Sequence, residues 1–321
     1  MFFFFCPQTP NLLNSIIKAQ KIKKNIGIII SRNQVDIKKG YLNNFDTKKF
    51  INYVKNKNKN ILICRDHGGI FKRDDEKKIK YKTAYQLAKK SFLNDARLDF
   101  DKLHLDSEFF KNRYQESKDF LDSVLKINKN MNFEFGEEKK NKKLNIKKLT
   151  NDINFCLQYK NIKELVTYTG SHLYGLKNIG KLNIKNLKII NKLLLNKKIT
   201  IKDHNCDYLS KNEFKQRKKY KIKSFNIGPE LTHIENKLLS HYGNKYAQYE
   251  YKKFKKFIEN EKKWKKWTKN KATINEKFLV SAHYYYNNDK YKKLINKIKK
   301  RVDFNSNIQE ILTKKIIKIV K

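Results

Sequence analysis

The chain is expected to fold as an α/β TIM (β/α)8 barrel with a C-terminal helical extension, and three observations predict it. Eight short apolar runs recur along the sequence, at residues 2–6, 26–31, 61–65, 102–106, 132–136, 164–168, 199–203 and 222–227. The runs alternate with longer lysine-rich stretches of helical spacing, as parallel strands with crossover helices do. Eight such units at intervals of roughly 20 to 40 residues match the chain length of a closed barrel.

The connecting segments support this order. In residues 46–54, Asp46 offers a cap while Phe50, Ile51 and Val54 share one helical face. Residues 83–92 repeat the pattern with Ala84, Leu87, Ala88 and Phe92. The lysine-rich stretch 139–148 reads as an exposed loop or helix start. Beyond residue 228, Pro229-Glu230-Leu231 opens a helix carrying Leu231, Ile234, Leu238 and Leu239, with proline in a favoured first-turn position. Residues 251–271 are expected to form a basic, aromatic helix and residues 308–320 a closing amphipathic one. The division is a barrel over residues 1–245 and a strongly basic helical extension over 246–321 packed on it.

Hydrophobic side chains make up 39% of the sequence and aromatics 13%, which excludes a disordered chain. The formal charge of +44 points at first to nucleic acid or an anionic membrane. However, only seven of the 75 basic residues are arginine, the residue that bidentate phosphate and guanine recognition selects. Lysine is spread from end to end, and Lys, Asn and Ile are enriched together, as an AT-rich coding bias produces. A solvated basic surface is the preferred reading, with no specific nucleic-acid partner. Cys6, Cys64, Cys156 and Cys206 show no CxxC spacing, so reduced thiols and a cytoplasmic location are expected. Phe2-Phe3-Phe4-Phe5 lacks a basic leader and ends at Cys6-Pro7, and no apolar run approaches the ~20 residues of a membrane helix.

In such barrels chemistry sits at the carboxyl ends of the strands. Asp66-His67-Gly68-Gly69 follows the third run, Tyr168-Thr169-Gly170-Ser171-His172 the sixth, and Asp203-His204-Asn205 the seventh. Imidazoles of His67, His172 and His204 converging from separate strands would suit a divalent ion, zinc first, with a carboxylate alongside to move a proton. Asp66, Asp106, Glu137, Glu138 and Asp203 are the strand-end carboxylates. His104 is expected between barrel and helices, and His233, His241 and His283 in the tail. Gly228-Pro229 has two readings, a turn that opens a helix or a phosphate site at a helix N-terminus, although Glu230 would repel an anion there.

The motifs Asn33-Gln34-Val35-Asp36, Gly40-Tyr41, Asp66-His67-Gly68-Gly69, His104-Leu105-Asp106, Asp203-His204-Asn205-Cys206-Asp207-Tyr208 and Gly228-Pro229-Glu230-Leu231-Thr232 follow one another in an order that resembles a known family. It is the non-catalytic (Z) subunit family of class II D-tagatose-1,6-bisphosphate aldolase, historically labelled tagatose-6-phosphate kinase. His283-Tyr284-Tyr285-Tyr286 is similar to that family's C-terminal Tyr-Tyr-Trp. The resemblance implies a class II aldolase-type barrel acting on a phosphorylated ketose. It assigns proton transfer to Asp66, with Glu138 assisting, and metal ligation to His67, His204 and His172. Asn33, Gln34, Asp106, Gly170, Asp203 and Gly228 become substrate-binding candidates. Arg65 replaces a family glycine, Gly69-Ile70 replaces Gly-Pro, and Gly136-Glu137-Glu138 lacks the following Val-Pro. No Gly-x-x-x-x-Gly-Lys-(Ser/Thr) loop supports kinase chemistry.

Three functions follow. The first is a metal-assisted aldolase acting on a sugar phosphate. The second is an accessory subunit that stabilises a separate catalytic aldolase, or a homo-oligomer, with Trp264, Trp267 and Tyr284 to Tyr286 as interface candidates or, alternatively, as internal packing. The third is a basic nucleic-acid-binding protein.

Overall fold

A computed structural model describes residues 1–137 and 144–321. The strands in chain order are β1 (Phe2–Phe5), β2 (Ile26–Ser31), β3 (Leu62–Asp66), β4 (Lys102–Asp106), β5 (Asn132–Gly136), β6 (Ile162–Val166), a short hairpin of β7 (Leu173–Tyr174) and β8 (Lys177–Asn178), then β9 (Thr200–Asp203) and β10 (Ile222–Ile227). Eight of them close into a parallel barrel, β1-β2-β3-β4-β5-β6-β9-β10 and back to β1. This is the (β/α)8 architecture that the sequence predicts. β6 lies two residues earlier at each end than the expected 164–168.

The crossover helices are α1 (Pro10–Ile22), α2 (Thr47–Lys57), α3 (Tyr81–Arg97), α4 (Arg113–Leu125), α5 (Ile146–Leu157), α6 (Ile184–Leu193) and α7 (Lys211–Lys218), followed by α8 (Pro229–Tyr246). Asp46 caps α2 as expected, accepting from the Lys49 N–H at 2.8 Å. In the 139–148 stretch, α5 starts at Ile146 behind an Asn145 cap, and residues 139–143 lie outside the described residues.

Strand alternation divides the side chains into two environments. Phe3, Phe5, Ile28, Ile30, Ile63, Leu103, Phe133 and Phe225 join the large apolar cluster shared with the helices, and each fully buried large side chain contributes roughly 1.5–3 kcal/mol. The other parity fills the barrel, where Phe4, Ile29 and Cys64 form a separate small cluster. Gly27 makes room for it, since a Cβ there would meet the Phe4 ring at 2.7 Å. Across the barrel the filling is charged. Lys202 Nζ lies 4.0 Å from the Phe4 ring centre and 2.5 Å from Glu134 Oε1. Lys102 pairs with Glu164, which also accepts from Ser224.

Arg65 belongs to the outward parity. Its guanidinium donates to Asp95 of α3 at 2.6 and 2.8 Å and to the carbonyls of Ile30 and Val35 at 3.2 and 2.7 Å. Arg65 thus ties β3 to α3.

The C-terminal part consists of α9 (Gln248–Glu261), α10 (Ile274–Ser281), α11 (Asp289–Lys299) and α12 (Phe304–Val320). α12 packs on both α8 and α1, with Gln309 accepting from Ser15 and donating to Asn11 at 3.2 Å each. The continuous helix expected over residues 251–271 is broken. α9 stops at Glu261, and Lys262 turns the chain at φ 60°. The Trp264 indole folds back to donate to the Glu259 carbonyl at 2.9 Å, satisfying one of the acceptors a helix end leaves open. Trp264, Tyr285 and Tyr286 are buried. Trp267 donates to the Tyr284 hydroxyl at 3.1 Å, and Tyr286 to Asn236 at 2.7 Å. Of the aromatic residues named as interface candidates, Trp264, Tyr285 and Tyr286 are thus packed within the chain, and Trp267 and Tyr284 are half-buried. All four cysteines are free thiols. Among the described residues no helix is long and apolar enough to cross a membrane.

Two predictions follow from this packing. Arg65 and Asp95 are both fully buried, so Asp95→Ala strands a guanidinium and should cost about 3–5 kcal/mol in urea unfolding; a loss below about 1 kcal/mol would contradict the pairing. Glu235 of α8 is buried against Thr9 and Asn11, and burial pushes its carboxyl up to about 7 despite their hydrogen bonds. The folded chain then keeps a proton that the unfolded chain releases near 4.5. That contribution, roughly 3 to 4 kcal/mol, is complete below the unfolded value and lost as pH rises through 7. Glu235→Gln should flatten the pH slope of stability in this window, and a slope equal to wild type would sink the assignment.

Candidate active site at the carboxyl mouth of the barrel

β3 ends on Asp66, whose carboxylate belongs to the inward parity. The chain then turns through His67 at φ 47°, a left-handed conformation that costs a non-glycine residue roughly 1–3 kcal/mol. Gly68 and Gly69 carry it tightly over β4. A Cβ on Gly69 would lie 2.0 Å from the Asp106 carbonyl oxygen, which is the physical need for glycine there. The turn sets His67 Nδ1 2.7 Å from Asp106 Oδ2. Lys72 Nζ reaches the same oxygen at 2.7 Å and Glu108 Oε2 at 2.7 Å.

Three imidazoles surround Asp66. Its Oδ2 is 3.7 Å from His67 Nε2, and its Oδ1 is 3.7 Å from His104 Nδ1 and 3.8 Å from His204 Nδ1. Burial works to raise the Asp66 carboxyl, but the imidazoles of His67, His104 and His204 hold it well below the usual carboxylate range. Burial opposes charge on His67 as well, yet Asp66 and Asp106 bring it up to about 9. Asp106, desolvated but bonded to His67 and Lys72, stays ionised far into acid. Deeper in, His204 Nε2 lies 4.0 Å from Glu134 Oε2.

Asp66, His67 and His204 each offer a ligand atom, all within 4.8 Å of one another. Asp66 Oδ1 is buried without a hydrogen-bond partner. Imidazole and carboxylate donors in this combination fit a divalent first-row ion.

The cluster opens into a cavity of about 310 Å³. Asn33, Gln34 and Gly228 line it, as do Lys72 and, from the C-terminal part, Lys266, Trp267 and Tyr284. Gln34 braces the strand ends, donating to the Pro7 carbonyl at 2.6 Å and accepting from the Ser31 hydroxyl at 2.8 Å.

Several expectations are corrected. His104 lies inside the barrel, its Nε2–H donating to the Gly136 carbonyl at 3.2 Å; it shares the inward parity of Asp106, two residues on. Asp203 has the outward parity and pairs with Arg217 at 2.8 Å and Thr169 at 2.5 Å, so it braces α7 instead of facing the cavity. His172 is carried along the rim by the β7–β8 hairpin, its backbone N–H donating to Asn178 at 3.0 Å, and it does not join the Asp66 cluster. Gly170, on the same loop, does not line the cavity. Glu137 pairs with Arg113 and Lys148 at the side of the barrel. Glu138 lies outside the described residues. The phosphate reading of the α8 start gives way to an internal cap: Asp207 Oδ1 accepts from the Gly228 and Glu230 N–H groups at 2.9 and 2.8 Å.

No protein-family model and no curated protein sequence matches the chain. Solved structures do resemble it. A probable tagatose 6 phosphate kinase from Sinorhizobium meliloti 1021 superposes with TM-score 0.77 at 15% identity, over 92% of this chain and 86% of that one. The likeness is one of fold. The fructuronate-tagaturonate epimerase UxaE from Cohnella laeviribosi gives TM-score 0.55 at 11% identity, over 98% and 77%. The fructose-bisphosphate aldolase Fba from Campylobacter jejuni gives 0.51 at 14% identity, over 92% and 91%.

Because Gly69 abuts the segment that holds His67, Gly69→Ala should lower stability by about 1–3 kcal/mol through overpacking. Thermal unfolding of the purified variant measures this, and a midpoint equal to wild type would refute the close approach.

Proposed function

We propose that the chain cleaves a phosphorylated ketose, tagatose-1,6-bisphosphate being the type, by metal-assisted carbon–carbon chemistry of the class II aldolase kind. The observation that carries this reading is the setting of His67. Its Nδ1–H donates to the ionised Asp106, which orients the ring, and an ion that displaces the Nε2 proton would find that nitrogen beside Asp66 in the cluster shared with His204. A metal-binding histidine is commonly held in this way.

His67 and His204 would hold the ion, with Asp66 the carboxylate at their side. Bound there, a divalent ion supplies Lewis-acid polarisation of a carbonyl oxygen. Asp66, whose carboxylate lies beside both imidazoles, would exchange the hydroxyl proton with the substrate. Lys72 and Asp106 keep the His67 ring from rotating. Structurally similar proteins named for sugar phosphates support the substrate class.

Metal analysis and a screen of ketose mono- and bisphosphates test the proposal. The purified chain should hold a stoichiometric divalent ion that His204→Ala loses, and Asp66→Asn should slow cleavage by about 10²- to 10⁴-fold. Metal-free protein, or undiminished cleavage by His67→Ala, overturns it. Activity that appears only with a separate aldolase added would make the chain an accessory subunit.

A further inference from the structure

The cavity above His67 continues into a wider one of about 610 Å³ that Phe71 and Phe109 line. The two share Asn33, Lys72 and Lys266. Two lysines, one in the loop after β3 and one in the C-terminal part, thus line the stretch where the two spaces join.

Each lysine is fixed and retains donors. Lys72 spends two N–H groups on Asp106 and Glu108, leaving a third. Lys266 donates to Asp74 Oδ2 at 2.6 Å and lies 5.6 Å from the Tyr284 ring centre, with Lys263 5.1 Å from the same ring. Asn33 locks the loop between them, donating to the Lys72 carbonyl at 3.2 Å and accepting from the Asp74 N–H at 2.9 Å. On the far side the Trp267 carbonyl accepts from the Gly175 N–H at 2.8 Å, tying the tail to the β7–β8 turn. Lys77 also lines the wider space and shares Asp74 with Lys266. Two ammonium groups with unused donors suit a doubly charged oxyanion.

We propose that Lys72 and Lys266 grip a phosphate monoester at the end of the substrate remote from its reacting carbonyl, so that the C-terminal part sets a preference for substrates bearing that group. The placement of the carbonyl beside His67 rests on the aldolase reading. The lysine pair as an anion site does not.

The test uses the metal-loaded full chain. Inorganic phosphate is titrated by calorimetry, and kcat/KM is compared for a ketose bisphosphate and for the monophosphate lacking the remote group. Lys266→Gln should weaken phosphate binding about tenfold and cut the preference for the bisphosphate about tenfold, as expected for losing one charge-assisted hydrogen bond. Lys290→Gln, an exposed lysine on α11, should change neither, and unfolding midpoints confirm that the variants are folded. Unchanged phosphate binding and unchanged preference in both Lys266→Gln and Lys72→Gln overturn the proposal. Phosphate binding that depends on Lys266 while the substrate preference does not would identify a site for free phosphate and reject the substrate grip. If no ketose is cleaved but phosphate binding depends on Lys266, the aldolase reading fails and the anion site stands; cleavage whose preference ignores Lys266 gives the reverse.

Discussion

The carboxylate of Asp106 organises the mouth of the barrel. Its Oδ2 is shared by His67 Nδ1 and Lys72 Nζ, both at 2.7 Å. One oxygen thus fixes the imidazole that faces Asp66 and the ammonium that faces the open cavity. The arrangement is possible because Gly69 lets the loop after β3 pass directly over the end of β4, and because the strained His67 backbone is held between Asp106 and the His104 ring, which accepts its N–H at 3.3 Å.

Beneath this rim the barrel is filled in an unusual way. Lys202, Lys102, Glu134 and Glu164 occupy space that branched aliphatic side chains commonly take. Burial alone would protonate Glu134, but Lys202 and Lys102 hold it in the carboxylate form. Above this paired floor, the imidazoles of His67, His104 and His204 keep Asp66 ionised. The large surplus of positive charge on the chain has little part in this. The lysines with defined partners at this end are few: Lys202 inside the barrel, Lys72 in the loop after β3 and Lys266 over the mouth.

The C-terminal part has two distinct tasks in the fold. α12 bridges α8 and α1, the last and first helices of the ring, while the segment around Lys266 and Trp267 reaches over the cavity. The break after Glu261 makes the second task possible, because a helix continued through residue 271 would project its aromatic residues along one straight axis instead of folding Trp264 back onto Glu259.

The sequence by itself determined the barrel, because eight runs of alternating burial separated by helical stretches leave few other closed solutions. It also located Asp66, His67 and His204, since Asp66 has the inward parity at the end of β3 and the two histidines sit in the first turns beyond β3 and β9. Strand parity was equally present in the sequence and would have placed His104 with Asp106 and turned Asp203 outward, given that successive side chains alternate between faces. Only the tertiary structure decided that the β7–β8 hairpin carries His172 away from the cluster, that Asp207 caps α8, and that Lys266 arrives from nearly two hundred residues beyond Asp74. Those contacts join segments distant along the chain, and no local spacing encodes a meeting whose geometry is set by how the closing helices pack around the ring.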